Sequence, residues 1–97
     1  MFIYGLCVKI AIPYSHSLKE KRTVVRSLIE RLRSKTGVYG IEVGAQDIWQ
    51  SSIIGMSWVS ISSTEGKNKL QSIMDFLEED GRFSIVDYEW KEIKLGK

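Results

Sequence analysis

The stretch FIYGLCVKIAIPYSHSLKEKR, residues 2–22, decides the fold. Its even positions Phe2, Tyr4, Leu6, Val8, Ile10 and Ile12 are apolar without a break, the alternation of a strand that buries one face. The odd positions Ile3, Gly5, Cys7, Lys9 and Ala11 form a second face that is less apolar but hardly polar. Pro13, the only proline, stops the strand. Ser17 then opens a helix, because a hydroxyl followed three residues later by Glu20 makes a capping box. Apolar residues recur at Leu18, Val25, Leu28, Ile29 and Leu32, so the spacing predicts a helix to about Lys35, ended by Gly37.

Beyond this helix a second strand is expected over about Val38 to Val43. A connection from Ala45 to Gln50 leads to a third strand over about Ser52 to Ser62, rich in Ile53, Ile54, Trp58, Val59 and Ile61. Thr64 is the expected cap of a second helix, with Leu70, Ile73, Met74 and Leu77 on one stripe and Gly81 closing it. A last strand from Phe83 to about Ile93 alternates Val86, Tyr88 and Trp90 with Asp87, Glu89 and Lys91. The order β-α-β-β-α-β, with right-handed crossovers placing both helices on one sheet face, predicts an α+β ferredoxin-like two-layer sandwich. The expected antiparallel sheet order is 4-1-3-2, in a single domain over residues 1–97.

The composition agrees with one small globular unit. The chain has 97 residues, 43% hydrophobic and 27% charged, and a formal net charge of +2. Its mean hydropathy of −0.11 and lack of any apolar run near membrane length argue against a membrane span. One cysteine and one histidine make a structural metal site and an internal disulfide unexpected, so no metal and no cofactor are assigned. The opening Met-Phe-Ile-Tyr-Gly-Leu has neither the basic segment nor the cleavage site of a secretory signal, and a free Cys7 suits a reducing compartment. A cytoplasmic location is expected.

With both helices on one face, the other must be explained: the third strand is apolar on both sides, Ile54, Met56 and Trp58 on one and Ile53, Val59 and Ile61 on the other, and the first adds Ile3 and Cys7 to whichever side the helices leave open. Monomers rarely expose a large apolar patch, so a second copy of the chain is the expected occupant, in a homodimer packed sheet against sheet. The rival reading is a base-stacking RNA platform. The first strand offers no aromatic on its odd positions, and the third lacks the aromatic-rich Lys/Arg-Gly-Phe signature of such platforms.

Charge is unevenly spread. Residues 17–35 hold seven basic side chains against Glu20 and Glu30, a net +5, leaving −3 for the rest. Lys19, Arg22, Arg26 and Arg33 fall within about 60° of one another on a helical wheel. Such a stripe suits a phosphate backbone; the plain alternative is a solvated helix face. Acidic Asp75, Glu78, Glu79 and Asp80 could also pair with it across a neighbouring subunit. At the helix start, Ser15, His16 and Ser17 with Lys19, Lys21 and Arg22 compose a candidate anion site at the positive end of the dipole. The alternative there is an ordinary cap by Ser17, with Lys21 lying toward the apolar stripe.

Ser15-His16-Ser17-Leu18-Lys19-Glu20-Lys21-Arg22 after Pro13, together with Gln46-Asp47-Ile48-Trp49-Gln50, resembles the YlxP-like family of small bacterial proteins, catalogued mainly as a domain of unknown function. The similarity spans nearly the whole chain, including Leu6 to Pro13 and the Ile54-Gly55 step. It implies a ferredoxin-like, cytoplasmic protein, often encoded near translation and ribosome-maturation factors, which suggests RNA or ribosome association. It supplies no catalytic residue. Tyr14, Tyr39 and Trp58 give this chain more aromatic surface than the resemblance leads one to expect. In the second motif Asp47 suits a turn, Trp49 is expected to anchor the connection against the sheet edge, and Gln46 and Gln50 to bond backbone or a partner. The two motifs are expected at opposite ends of the sheet.

No glycine-rich phosphate loop, metal triad or nucleophile elbow is present, Cys7 falls in mid-strand, and His16 is the only obvious base. Acylphosphatases share the element order, but their phosphate-cradling loop carries an arginine and glycines where this chain has Pro-Tyr-Ser-His-Ser. The expectation is therefore a non-enzymatic dimer that binds structured RNA or a ribosomal particle through the first helix. The alternative is a regulatory or interaction dimer that binds an anionic metabolite or a protein.

Overall fold

A computed structural model describes residues 1–96. Strand β1 (Phe2–Ala11) is followed by α1 (Leu18–Thr36), β2 (Gly40–Gly44), β3 (Ser51–Ser60), α2 (Ser63–Glu78) and β4 (Ser84–Lys94). All pairings are antiparallel and the sheet runs β2-β3-β1-β4, the expected order, giving the ferredoxin-like sandwich. The even residues of β1 from Tyr4 to Ile10 are buried, with Ile54 and Met56 of β3 beside them. Val25, Leu28 and Leu32 of α1 and Ile73 and Leu77 of α2 close the core from above.

Local chemistry sets the helix ends. The Ser17 side chain accepts from the Glu20 N–H at 3.1 Å, and the Glu20 carboxylate accepts from the His16 N–H at 2.6 Å, a variant of the capping box that reaches the residue before the cap. Gly37, at φ 76°, ends α1 in the left-handed region. The start of α2 corrects the expectation at Thr64: Ser62 is the cap, accepting from Glu65 N–H at 3.1 Å. Its end also differs, since the helix stops at Glu78 with Glu79 as right-handed cap, three residues before it meets Gly81. Val38 precedes β2 rather than opening it, yet is buried in the core.

One aromatic stack ties the sheet to α2. The Tyr4 ring lies between Trp58 at 5.4 Å and Trp90 at 6.4 Å. Its hydroxyl donates to Glu92, which also accepts from Ser63 Oγ at 2.7 Å. Burial pushes the Tyr4 phenol up, and the O–H that it donates holds the Glu92 carboxyl below its usual range. Gly66 presses directly on that ring, and its carbonyl accepts from Trp58 Nε1 at 3.1 Å.

Asp80 closes the far end. It accepts from Arg31 of α1 at 2.8 Å and from Arg82 at 2.6 Å, so this acid pairs with α1 within one chain and not across a subunit boundary. The Arg82 hydrogen bonds draw its carboxyl down to about 2, against the opposing effect of burial. A carboxyl lowered on folding adds stability above its unfolded value near 4, and that stability is lost as pH falls through about 2. Asp80→Asn is therefore expected to cost about 2 kcal/mol at neutral pH. Urea titrations should show wild type and variant converging below pH 2, whereas an unchanging gap would contradict the assignment.

Candidate functional site: the α1 flank and the joined motifs

The two motifs meet at one end of the sheet, which corrects the expectation that they lie at opposite ends. The reason is topological: β1 runs antiparallel to β3, so Ala11 at the end of β1 faces Ser51 at the start of β3. The β1–α1 turn must then lie beside the β2–β3 turn. Ile12 N–H donates to Gln50 O at 2.8 Å, and Gln50 Nε2 lies 3.4 Å from Ser15 O and 3.5 Å from Pro13 O. Gln50 thus bonds backbone, as the sequence suggested. Trp49 is 52% exposed and Tyr14 77% exposed, so Trp49 stands out from this end rather than being buried against the sheet edge. Gln46 and Asp47 are exposed beside it.

Lys21 follows the alternative reading and lies in the apolar stripe of α1 rather than at an anion site. It is fully buried, with Nζ 3.0 Å from Glu42 Oε2 and donating to the Ala45 carbonyl. Ser52 Oγ donates to the same Glu42 oxygen at 2.5 Å. Lys21 therefore contacts no external anion; it fastens α1 to β2 and to the start of the 45–50 connection. Ala45 holds that carbonyl in place at φ 57°, a left-handed conformation that costs an alanine about 1 kcal/mol.

The helix start is also committed internally. Ser15 is buried with its hydroxyl on Ser17 O at 3.1 Å, Ser17 is the cap, and the Glu20 carboxylate already occupies the positive end of α1. Of the anion site expected there, His16 keeps an exposed side chain but its backbone N–H is taken by Glu20. Ser15, Ser17 and Lys21 are thus structural.

What remains of the basic stripe gathers on the flank of α1 above β2. Arg22 and Arg26 line an open groove of about 370 Å³ whose other wall is Tyr39, Gly40 and Ile41, with Glu30 and Glu42 also on its border. The Arg33 guanidinium sits 5.6 Å from the centre of the Tyr39 ring, which is 62% exposed. Among the described residues, Lys19, Arg22, Arg26 and Arg33 have no carboxylate within 4.0 Å. β2 is an outer strand of the sheet, paired only with β3. Tyr39 is part of the aromatic surface visible in the sequence, but its place beneath Arg33 is not. Its one signal was two residues' distance from Gly37, which places it where the chain turns back beneath Arg33.

On the uncovered sheet face, the β2–β3 half carries Ile41, Val43, Ile53 and Val59, and the β1–β4 half carries Ile3, Cys7 and Ile93 together with Lys9, Asp87, Glu89 and Lys91. No helix is long and apolar enough to cross a membrane, and no group of three or more potential metal ligands occurs among the described residues.

Fold and groove define a small ferredoxin-like domain with an arginine-lined helix flank. The chain belongs to the family described as protein of unknown function (DUF503), whose model matches residues 3–90. It is similar to the "Uncharacterized protein YlxP" of Bacillus subtilis (strain 168), 37% identical over 62 residues that cover 64% of this chain and 67% of that protein.

Proposed function

We propose that this protein is a non-catalytic binder of structured RNA, such as a ribosomal particle presents, and that it holds the phosphate backbone in the groove between α1 and β2. The observation that carries this reading is the row Arg22, Arg26 and Arg33, without a carboxylate partner among the described residues and ending over the exposed Tyr39 ring. Arginine presents a planar fork of donors to phosphate and stacks on rings and bases, which lysine does poorly. From Arg22 to Arg33 the helix rises about 16 Å, enough to follow several nucleotides. An anionic metabolite at the start of α1, the alternative reading, is disfavoured because Glu20 already places a carboxylate there.

The test is binding of fluorescently labelled ribosomal RNA fragments, followed by anisotropy. Changing Arg22, Arg26 and Arg33 together to Glu is expected to weaken binding at least about 100-fold at low salt, with an unchanged thermal melt because all three side chains are exposed. Binding that survives the triple reversal would contradict the proposal.

A further inference from the structure

We infer that two copies of this chain join along β4, edge to edge, extending the sheet to eight strands. β4 has eleven residues and lies at the end of the sheet, so only one of its edges is paired, by β1. Its register places Tyr88 beside Val8 and Trp90 beside Leu6, on the face the helices cover. α2 touches β4 at Glu92, through Ser63 Oγ, but leaves Tyr88 and Trp90 only partly covered. Val86 and Tyr88 are more than half exposed and Trp90 is 37% exposed. The register shift leaves Val86 in a bulge, but from Asp87 to Lys94 the ladder is regular, and a regular edge strand with large, partly uncovered apolar side chains is a template for another strand.

Charge selects both the occupant and its register. On the opposite face β4 presents Asp87, Glu89 and Lys91. An antiparallel second copy with its twofold axis at Trp90 sets each Glu89 across from the other copy's Lys91, twice by symmetry, with the two Trp90 rings adjacent and Tyr88 opposite Glu92. Centring on Tyr88 instead faces Asp87 with Glu89. Centring on Glu89 pairs Asp87 with Lys91 but puts two carboxylates together at the axis. Like charges directly opposite are destabilising and unlike charges favourable, so only the Trp90 register has matched charges throughout its centre. The uncovered sheet face is less suited to self-association, since Lys9, Asp87, Glu89 and Lys91 interrupt the apolar residues of its β1–β4 half. This inference stands independently of RNA.

Sedimentation velocity under reducing conditions tests it. Wild type is expected to be dimeric at tens of micromolar, in the range of a modest interface. Lys91→Glu should weaken the dimer at least about tenfold by creating two carboxylate pairs. The double variant Glu89→Lys with Lys91→Glu should restore it, because the swap rebuilds both pairs. Val59→Lys, on the uncovered face of β3, should leave it intact. A monomeric wild type would overturn the inference. So would failure of the swap to rescue, or dissociation by Val59→Lys with Lys91→Glu still dimeric, which would place the second copy on the sheet face.

Discussion

Lys21→Met is expected to cost about 3 kcal/mol of folding stability, although methionine fills much of the same space in a helix. The ammonium is fully buried and serves two acceptors, Glu42 Oε2 at 3.0 Å and the Ala45 carbonyl. Removing it leaves the Glu42 carboxylate with only the Ser52 hydroxyl among its observed partners. An uncompensated charge in a half-closed site costs more than an intact pair contributes, so the variant suffers twice. The corollary is a rescue: Lys21→Met combined with Glu42→Met should recover most of the loss, because an apolar pair of similar volume needs no counterion. Chemical denaturation of the two variants decides this. A single variant within 0.5 kcal/mol of wild type, as for an ordinary surface lysine, would contradict the buried-pair account. The variant should also loosen residues 45–50, the connection this lysine fastens, which faster amide exchange there would report.

Gly66→Ala should be comparably damaging, about 3 kcal/mol, against the gain of up to about 1 kcal/mol that this exchange gives at an open helical position. A Cβ at Gly66 would lie 2.0 Å from Tyr4 Cε2 and 2.2 Å from Cζ. The ring cannot step aside, because Trp58 and Trp90 flank it and its hydroxyl is bonded to Glu92 and to Ser63 O. Either α2 lifts from the sheet or the stack breaks. Tyr4→Leu, made with Gly66→Ala, should give back part of the loss by making room for the methyl. Thermal melts would show the alanine variant well below wild type; equal melting would mean the helix rides higher on the sheet than described.

Much of this architecture could be read from alternation and caps. The unbroken even-numbered series from Phe2 to Ile12 and the Ser17–Glu20 box determine β1 and α1, and both appear within a residue or two of expectation. Where two hydroxyls competed, at Ser62 and Thr64, the better signal was the glutamate three residues after Ser62, a capping box the reading passed over. The meeting of the two motifs was already implied by the 4-1-3-2 order, since an antiparallel β1–β3 pair forces the two turns to one end. Lys21 announced its burial by lying four residues before Val25 and seven before Leu28, on the core stripe. Its partner Glu42 was hidden, because a strand's register against a helix has no local code. The exposure of Tyr88 and Trp90 was equally invisible: alternation says which side of a sheet a residue takes, not how far the helices extend over it.

The most direct test of the arginine groove is the salt dependence of RNA affinity. Each phosphate contact releases counterions, so log affinity falls with log salt by about 0.7 per contact on a single strand and about 0.9 on a duplex. Changing Arg22, Arg26 and Arg33 together to Gln should reduce that slope by about 2 to 3 while leaving the fold intact. A variant that binds the same RNA with the wild-type slope would place the phosphates elsewhere and reduce the α1 flank to a solvated surface.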